Sequence, residues 1–371
     1  MKISYVHGVC VKNDAISNSI RDEISWLVRH DHNDVRLYAY ACDHADLPFI
    51  KVSDLKNVAF DQHFQSSDLV VFHFGVFYPL FDLLAITPKR AKRLVVFHNI
   101  TPKEFVSIEN HPVIDQSFKQ LTNISFADHV ACDSQTNLDV LRASGIQTPA
   151  TVLPLAVHSN FHIPESKPSF FDGVVRLAFI GRFVRSKGPG QLLEAFDSVL
   201  RHDNMLHMSL DMIGNLSFSD LTLLEEMKNT VEAIHKSYGG RAKITIHGDA
   251  TEEIKREVLA NADLFVLPTY HEGFCVPILE ALGSGCKVIA YDNSNTPAIS
   301  GGFARLTPTG DVEELSFVLA EVVRELTSSA WRSKGSQSYA EYSRKVEKYV
   351  LQYSPEHTKH TFMTFIDNFV S

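Results

Sequence analysis

Glu272 and Glu280 stand eight positions apart, at the end of one apolar run and the start of another. Leu264 to Leu267 read as a strand core, Pro268 to Val276 as a loop holding Glu272 and Gly273, and Pro277 as the first helical residue, where its missing N–H costs nothing. One carboxylate then lies in the loop and the other in the first helical turn, with free backbone N–H groups between them. Carboxylates accept hydrogen bonds from hydroxyls, and a helix N-terminus receives phosphate. A hydroxyl-rich ligand with an anionic segment, such as a sugar nucleotide, meets both. Two solvated glutamates on a surface loop and helix are the plain alternative.

A second cluster lies at Phe179-Ile180-Gly181-Arg182-Phe183-Val184-Arg185-Ser186-Lys187-Gly188. A strand ends at Gly181, a basic loop follows, and a helix begins near Gly190. Gly181 lets backbone approach an anion closely, while Arg182 and Lys187 supply positive charge. Taken alone, such a loop could merely be solubilising. Arg185 has no assigned role. His98 closes the apolar strand Leu94–Phe97, and ligands of open α/β sheets gather at the carboxyl ends of strands. A lone histidine there otherwise serves as a structural hydrogen-bonder. His7-Gly8-Val9-Cys10 follows the first strand in the manner of a tight turn.

His-Glu-Gly-Phe-Cys-Val-Pro-Ile-Leu-Glu at 271–280 resembles the Glu-x7-Glu motif of retaining glycosyltransferases of the GT-B fold, especially family 4, the glycosyl transferases group 1. The family's usual form is Glu-Gly-Phe-Gly-x-Pro-x-x-Glu, and Cys275 stands where glycine is common. The 181–188 segment is similar to the same family's Gly-Arg-x4-Lys-Gly diphosphate motif. The resemblance implies catalytic roles for His98, Arg182, Lys187 and Glu272. It implies donor binding by Gly8, Gly181, Arg182, Lys187, Gly273, Phe274, Cys275 and Glu280. In that scheme Arg182 and Lys187 bind the donor diphosphate, Glu280 the ribose, Glu272 the hexose, and His98 approaches the transferred sugar. Of the family's Gly-Gly pair after the first strand only Gly8 is present. Gly248-Asp249 matches a region whose backbone often meets the nucleobase, and the loop Asn293–Ile299 often lies near the donor. The expected donor is a UDP- or GDP-hexose, with no metal or other cofactor, and the acceptor a glycan or lipid-linked saccharide of a bacterial surface polysaccharide.

Positioning these residues requires two α/β domains, the natural division for 371 residues. Apolar strands alternate with helical patterns: Ile3–Val6, Val35–Tyr40, Leu69–Phe74, Leu94–Phe97, His129–Cys132 and Thr151–Leu153, then Arg176–Ile180, Met208–Ile213, Ile244–His247, Leu264–Leu267 and Lys287–Ala290. Such runs imply parallel sheets covered on both faces. Helical stretches include Ser19–Arg29 and Ser117–Ser125, and Asp249 with Glu252 reads as a capping box. The expected fold class is α/β, two Rossmann-like domains facing across a cleft. The expected boundaries are residues 1–157, a Pro/Ser-rich linker at 158–172, and a nucleotide-sugar domain at 173–354. Residues 331–353 read as helical, and a last amphipathic helix at 355–371 returns to the first domain.

A formal net charge of −9 argues against a partner that wraps nucleic acid. Cys10, Cys42, Cys132, Cys275 and Cys286 show no Cys-x-x-Cys pair and read as reduced thiols of a cytoplasmic protein. Leu69–Ile86 is nearly as long as a membrane span, but His73, Gly75, Pro79 and Asp82 favour a strand plus a helix. Phe77, Tyr78, Phe81 and Leu84 followed by Lys89, Arg90, Lys92 and Arg93 admit two readings. One is a core helix with a solvated basic loop; the other is peripheral contact with the inner face of a membrane. The alternatives to a transferase are a sugar-nucleotide epimerase, a phosphorylase-type enzyme, and a catalytically silent subunit of a glycan assembly complex. A dinucleotide-dependent dehydrogenase lacks its Gly-x-Gly-x-x-Gly after the first strand.

Overall fold

The computed structural model describes residues 1–371 apart from 13, 31, 32, 160, 162, 217, 218 and 336. The chain divides into two compact units, residues 1–156 with 353–371, and residues 157–352.

The first unit carries strands β1 (Lys2–Val6), β3 (Asp34–Ala39), β5 (Phe49–Lys51), β6 (Leu69–Phe74), β7 (Lys92–Phe97), β8 (His129–Cys132) and β9 (Ala150–Val152), with a short parallel ribbon of β2 (Val9–Cys10) and β4 (Ala41–Cys42). The main sheet is parallel with order β5-β3-β1-β6-β7-β8-β9. Every residue of β6, Leu-Val-Val-Phe-His-Phe, is buried, as a central strand covered on both faces requires. One face holds the helix Ala15–Arg29, whose Ile20, Ile24 and Leu27 join Phe362, Met363 and Ile366 of the terminal helix Pro355–Val370 in one core. The other face is covered by Leu80, Phe81, Leu83 and Leu84 of the 3-10 segment Pro79–Ile86. Phe81 stacks on Phe74 at 4.2 Å. These side chains fill the core, so a membrane surface built from Phe81 and Leu84 has no apolar face left to offer. Arg90 and Arg93 pair with Asp68 and Asp128. Among the described residues no helix is long and apolar enough to cross a membrane.

The second unit carries β10 (Val175–Ile180), β11 (Met208–Ile213), β12 (Ala242–His247), β13 (Leu264–Leu267), β14 (Lys287–Tyr291) and β15 (Ala304–Thr307). They form a parallel sheet of order β12-β11-β10-β13-β14-β15, the doubly wound pattern. The helices Pro189–His202 and Val312–Thr327 bury Leu192, Phe196, Leu200, Leu315, Leu319 and Val322.

Three expectations fail locally. The 158–172 stretch is not a free linker; among its described residues, Lys167 is buried and its Nζ donates to the carbonyls of Ser284 (2.7 Å), Ala260 (2.9 Å) and Leu259 (3.4 Å). These carbonyls end the helices Glu252–Asn261 and Val276–Gly283, where a cation is favoured. Positions 160 and 162 of that stretch lie outside the described residues. The cap at Glu252 is Thr251, which accepts from Ile254 N, while Asp249 accepts from Leu216 N instead. Helix Val276–Gly283 starts one residue before Pro277.

Candidate active site

In the second sheet the strand order reverses between β10 and β13, which are hydrogen-bonded neighbours. A crevice outside the carboxyl ends at such a point is where doubly wound sheets bind ligands. Both motifs lie there: the loop 181–188 follows β10 and the loop 268–275 follows β13. Gly188 adopts φ +68°, and a Cβ there would come within 2.2 Å of the Pro268 carbonyl oxygen, so only glycine lets the loops touch. Tyr270 N donates to Ser186 O at 2.8 Å. Gly181 makes its close approach toward the protein: a Cβ on Gly214 would sit 2.6 Å from the Gly181 oxygen.

Lys187 and Glu272 join the two loops, with Nζ and Oε1 at 2.5 Å and both side chains largely buried. Arg182 is exposed, and among the described residues no side chain pairs with it. Arg185 reaches Glu226 at 3.0 Å. Phe274 is buried and its carbonyl accepts from Asn295 Nδ2 at 2.9 Å; Asn293 Nδ2 donates to Thr269 O at 2.8 Å. From the loop after β14, Asn295 thus braces the Gly273–Cys275 turn and Asn293 the start of the 268–275 loop.

Cys275 caps the helix Val276–Gly283 at φ 77° and ψ 62°, the left-handed region where glycine is the least strained residue. Burial, reinforced by Glu272, pushes its thiol well above the ordinary range. Glu280 lies on that helix, 9% exposed, and its Oε1 meets Lys255 Nζ at 2.8 Å. Burial opposes the charge on Lys255, but Glu280 and Glu252 outweigh it and hold the ammonium above the usual lysine range.

Gly8 and His98 belong to the first unit. Gly8 is buried, and a Cβ on it would meet Tyr78 Cβ at 3.3 Å. His98 follows β7, and its side chain is buried. Its Nδ1 lies 2.6 Å from Asp133 Oδ2 and its Nε2 2.8 Å from His73 Nδ1. Burial disfavours the imidazolium, yet Asp133 more than compensates and raises the pKa of His98 above the ordinary histidine value. His73 Nε2 continues to Glu23 Oε2 at 3.1 Å.

The sequence alone does not single out Lys255, Asn293 and Asn295 in the second unit, or Glu23, His73 and Asp133 in the first, as site residues. A histidine inside the otherwise apolar β6 and a glutamate on the apolar stripe of the first helix are the signals that could have exposed the buried line. Among the described residues no group of three or more His, Cys, Asp or Glu side chains could hold a metal ion.

Residues 165–345 match the family described as Glycosyl transferases group 1. Mannosylfructose-phosphate synthase of Agrobacterium fabrum is 29% identical over 38% of this chain and 28% of its own length. The MMP alpha-(1->4)-mannosyltransferase of Mycolicibacterium hassiacum is 28% identical over 53% of this chain and 49% of its own. The matched stretches thus span about half or less of these relatives. Sucrose-phosphate synthase from Thermosynechococcus elongatus superposes with a TM-score of 0.75 over 99% of each chain, at 15% identity, a likeness of fold. The two α/β units with parallel sheets have the GT-B fold of two Rossmann-like domains, and residues 165–345, just under half of the chain, are similar to the glycosyl transferases group 1 family.

Proposed function

We propose that the chain is a retaining glycosyltransferase that moves a hexose from a UDP- or GDP-hexose to a glycan or lipid-linked saccharide acceptor, in the synthesis of a bacterial surface polysaccharide. The observation that carries this reading is the meeting of the 181–188 and 268–275 loops at the switch point of the second sheet, with Lys187 bonded to Glu272 and Arg182 left open. Arg182 and Lys187 supply the positive charge that a departing diphosphate needs. Glu280, oriented by Lys255, receives the ribose hydroxyls, and Glu272 the hexose hydroxyls. Fixed cationic side chains take the electrostatic part a metal would otherwise play. No side chain of the site is assigned as a covalent nucleophile, so attack is on the front face, with the leaving phosphate taking the acceptor's proton. Relatives named for mannosyl transfer put GDP-mannose first among donors to be tried.

The test is release of nucleotide from a panel of UDP-, GDP- and ADP-hexoses with simple sugar acceptors, with products read by mass spectrometry and anomeric configuration by NMR. Transfer from one donor with retained configuration, lost in Glu280→Gln, supports the proposal. Epimerised donor without an acceptor product, or binding of no donor, overturns it.

A further inference from the structure

Glu23, His73, His98 and Asp133 come from four segments of the first unit and form one continuous hydrogen-bonded line. Glu23 lies on the helix Ala15–Arg29, His73 on β6, His98 just after β7 and Asp133 just after β8. The links measure 3.1, 2.8 and 2.6 Å in that order. All four side chains are more than nine-tenths buried. The two imidazole planes lie 20° apart with centroids separated by 5.1 Å. That separation is about one N–N bond plus two ring radii, so the rings meet edge to edge along their in-plane nitrogen directions. Gly75 leaves the room: a Cβ there would stand 3.2 Å from His98 Cβ and 3.1 Å from Asn99 O.

Counting protons fixes the state of the line. Two imidazole nitrogens 2.8 Å apart need one proton between them, since two lone pairs or two N–H groups would repel. Glu23 also accepts from Tyr5 OH (3.0 Å) and Ser19 Oγ (2.9 Å), the environment of an ionised carboxylate. The outer ring nitrogens face carboxylate oxygens, His73 Nε2 that of Glu23 and His98 Nδ1 that of Asp133, and each donates to its neighbour. Two rings then hold three protons, and the pair carries one positive charge. Among the described residues Tyr5, His7, Asp14 and Cys132 are the other titratable groups that interact with the line. Burial beside the two other histidines holds His7 neutral, with its pKa lowered to about 3.

We infer that Glu23 and His73 are positioning residues for His98, and with Asp133 hold it as one half of a shared imidazolium at the carboxyl end of β7. Both ring nitrogens of His98 are committed within the unit, so His98 acts on a ligand through its charge and its C–H edge. It is not a free N–H donor. The catalytic use of this charge rests on the donor-site reading of His98 above; the shared proton does not.

The experiment is 15N NMR of the full chain labelled in histidine. The ring nitrogens of His73 and His98 are expected to show one shared, strongly deshielded proton and no titration between about pH 5 and 8. In Glu23→Gln, which removes one flanking charge, a one-proton titration of the pair is expected inside that window. His73→Asn is the second variant should Glu23→Gln fail to fold; there His98 should titrate as a single ring. Above the new transition, nucleotide release by Glu23→Gln should fall about tenfold per pH unit while the wild type stays level. Two wild-type rings titrating independently near an ordinary histidine pKa would overturn the inference, whatever the activity. A shared proton in a chain that uses no sugar nucleotide would leave the inference standing and remove the transferase reading.

Discussion

Lys187 and Glu272, 85 residues apart in sequence, form a 2.5 Å ion pair that ties the loop after β10 to the loop after β13. Each has been assigned a separate part of the donor, yet without ligand each is the other's partner. The pair is largely buried, so deleting one member strands the other's charge. Lys187→Ala is expected to lower stability by about 1.5–3 kcal/mol, the worth of a hydrogen bond to a charged group. The double variant Lys187→Ala/Glu272→Ala should recover part of that loss in thermal unfolding and none of the nucleotide-sugar affinity in calorimetry. Donor binding restored in the double variant would contradict a direct role for Lys187.

Lys255 is expected to act through Glu280. Removing its ammonium in Lys255→Met leaves a nearly buried carboxylate without its ion-pair partner. Affinity for free nucleoside diphosphate should drop by about tenfold, near 1.4 kcal/mol. Lys255→Arg, which keeps the charge, should recover most of it. Equal affinities across all three proteins would show that the Lys255–Glu280 pair plays no part in nucleotide binding.

Cys275 sits at φ 77°, a conformation that glycine adopts without strain. Cys275→Gly should relieve strain of about 1 kcal/mol while losing the packing of a buried thiol, for a net change close to zero. Cys275→Val puts a β-branched side chain in the left-handed region and should cost about 1–3 kcal/mol more than glycine. Chemical denaturation of the three proteins checks the order. Valine tolerated as well as glycine would mean that the turn relaxes.

His7 gives the acid limb of the stability profile a definite sign. Its native pKa is lowered to about 3 by burial and by the neighbouring His73 and His98, so the folded state keeps it neutral where the unfolded chain protonates it. Stability from this group is complete above the unfolded value of about 6.5 and is lost as pH falls toward 3, by about 1.4 kcal/mol per unit. The line His73–His98 contributes in the opposite sense: the raised pKa of His98 gives stability that is full below the unfolded value and lost at higher pH. Comparing urea unfolding of wild type and His7→Asn at about pH 7, 6 and 5 isolates the His7 part. The variant should show the shallower acid slope, and equal slopes would place a proton on native His7.

What the sequence reveals divides by whether a feature is local. β6, β7, β10 and β13 are legible because continuous apolar runs can only be central parallel strands. The 181–188 and 271–280 loops are legible because each carries its chemistry in consecutive residues. Glu23, His73 and Asp133 are not, since their meaning arises only when the helix Ala15–Arg29, β6 and the end of β8 are brought together, 50 residues separating the first two. Lys255 is hidden for the same reason, on an amphipathic helix where a lysine normally faces water. Asp249 reads as a cap in the sequence, but Thr251 offers a competing oxygen two residues later. β15 (Ala304–Thr307) escapes because its arginine and partial exposure break the apolar run.

Lys167 turns a stretch with the composition of a linker into a packed part of the second unit. Pro164, Pro168 and neighbouring serines have the composition of a linker, but one buried ammonium anchors them by satisfying three helix-end carbonyls. Burial lowers the pKa of Lys167, and nearby Cys286 and Asp263 work against that shift. Lys167→Met keeps the length and apolar stem but leaves the carbonyls of Ala260 and Ser284 without this donor. Each stranded polar group costs about 1–3 kcal/mol. The second unit should therefore unfold earlier in a thermal scan, and amide exchange should quicken in the last turns of Glu252–Asn261 and Val276–Gly283. Because Glu280 rides on the second of these helices, nucleotide affinity should weaken as well. Unchanged exchange in both helix ends would mean that Lys167 is held by its stem alone and that the ammonium contributes nothing to the anchor.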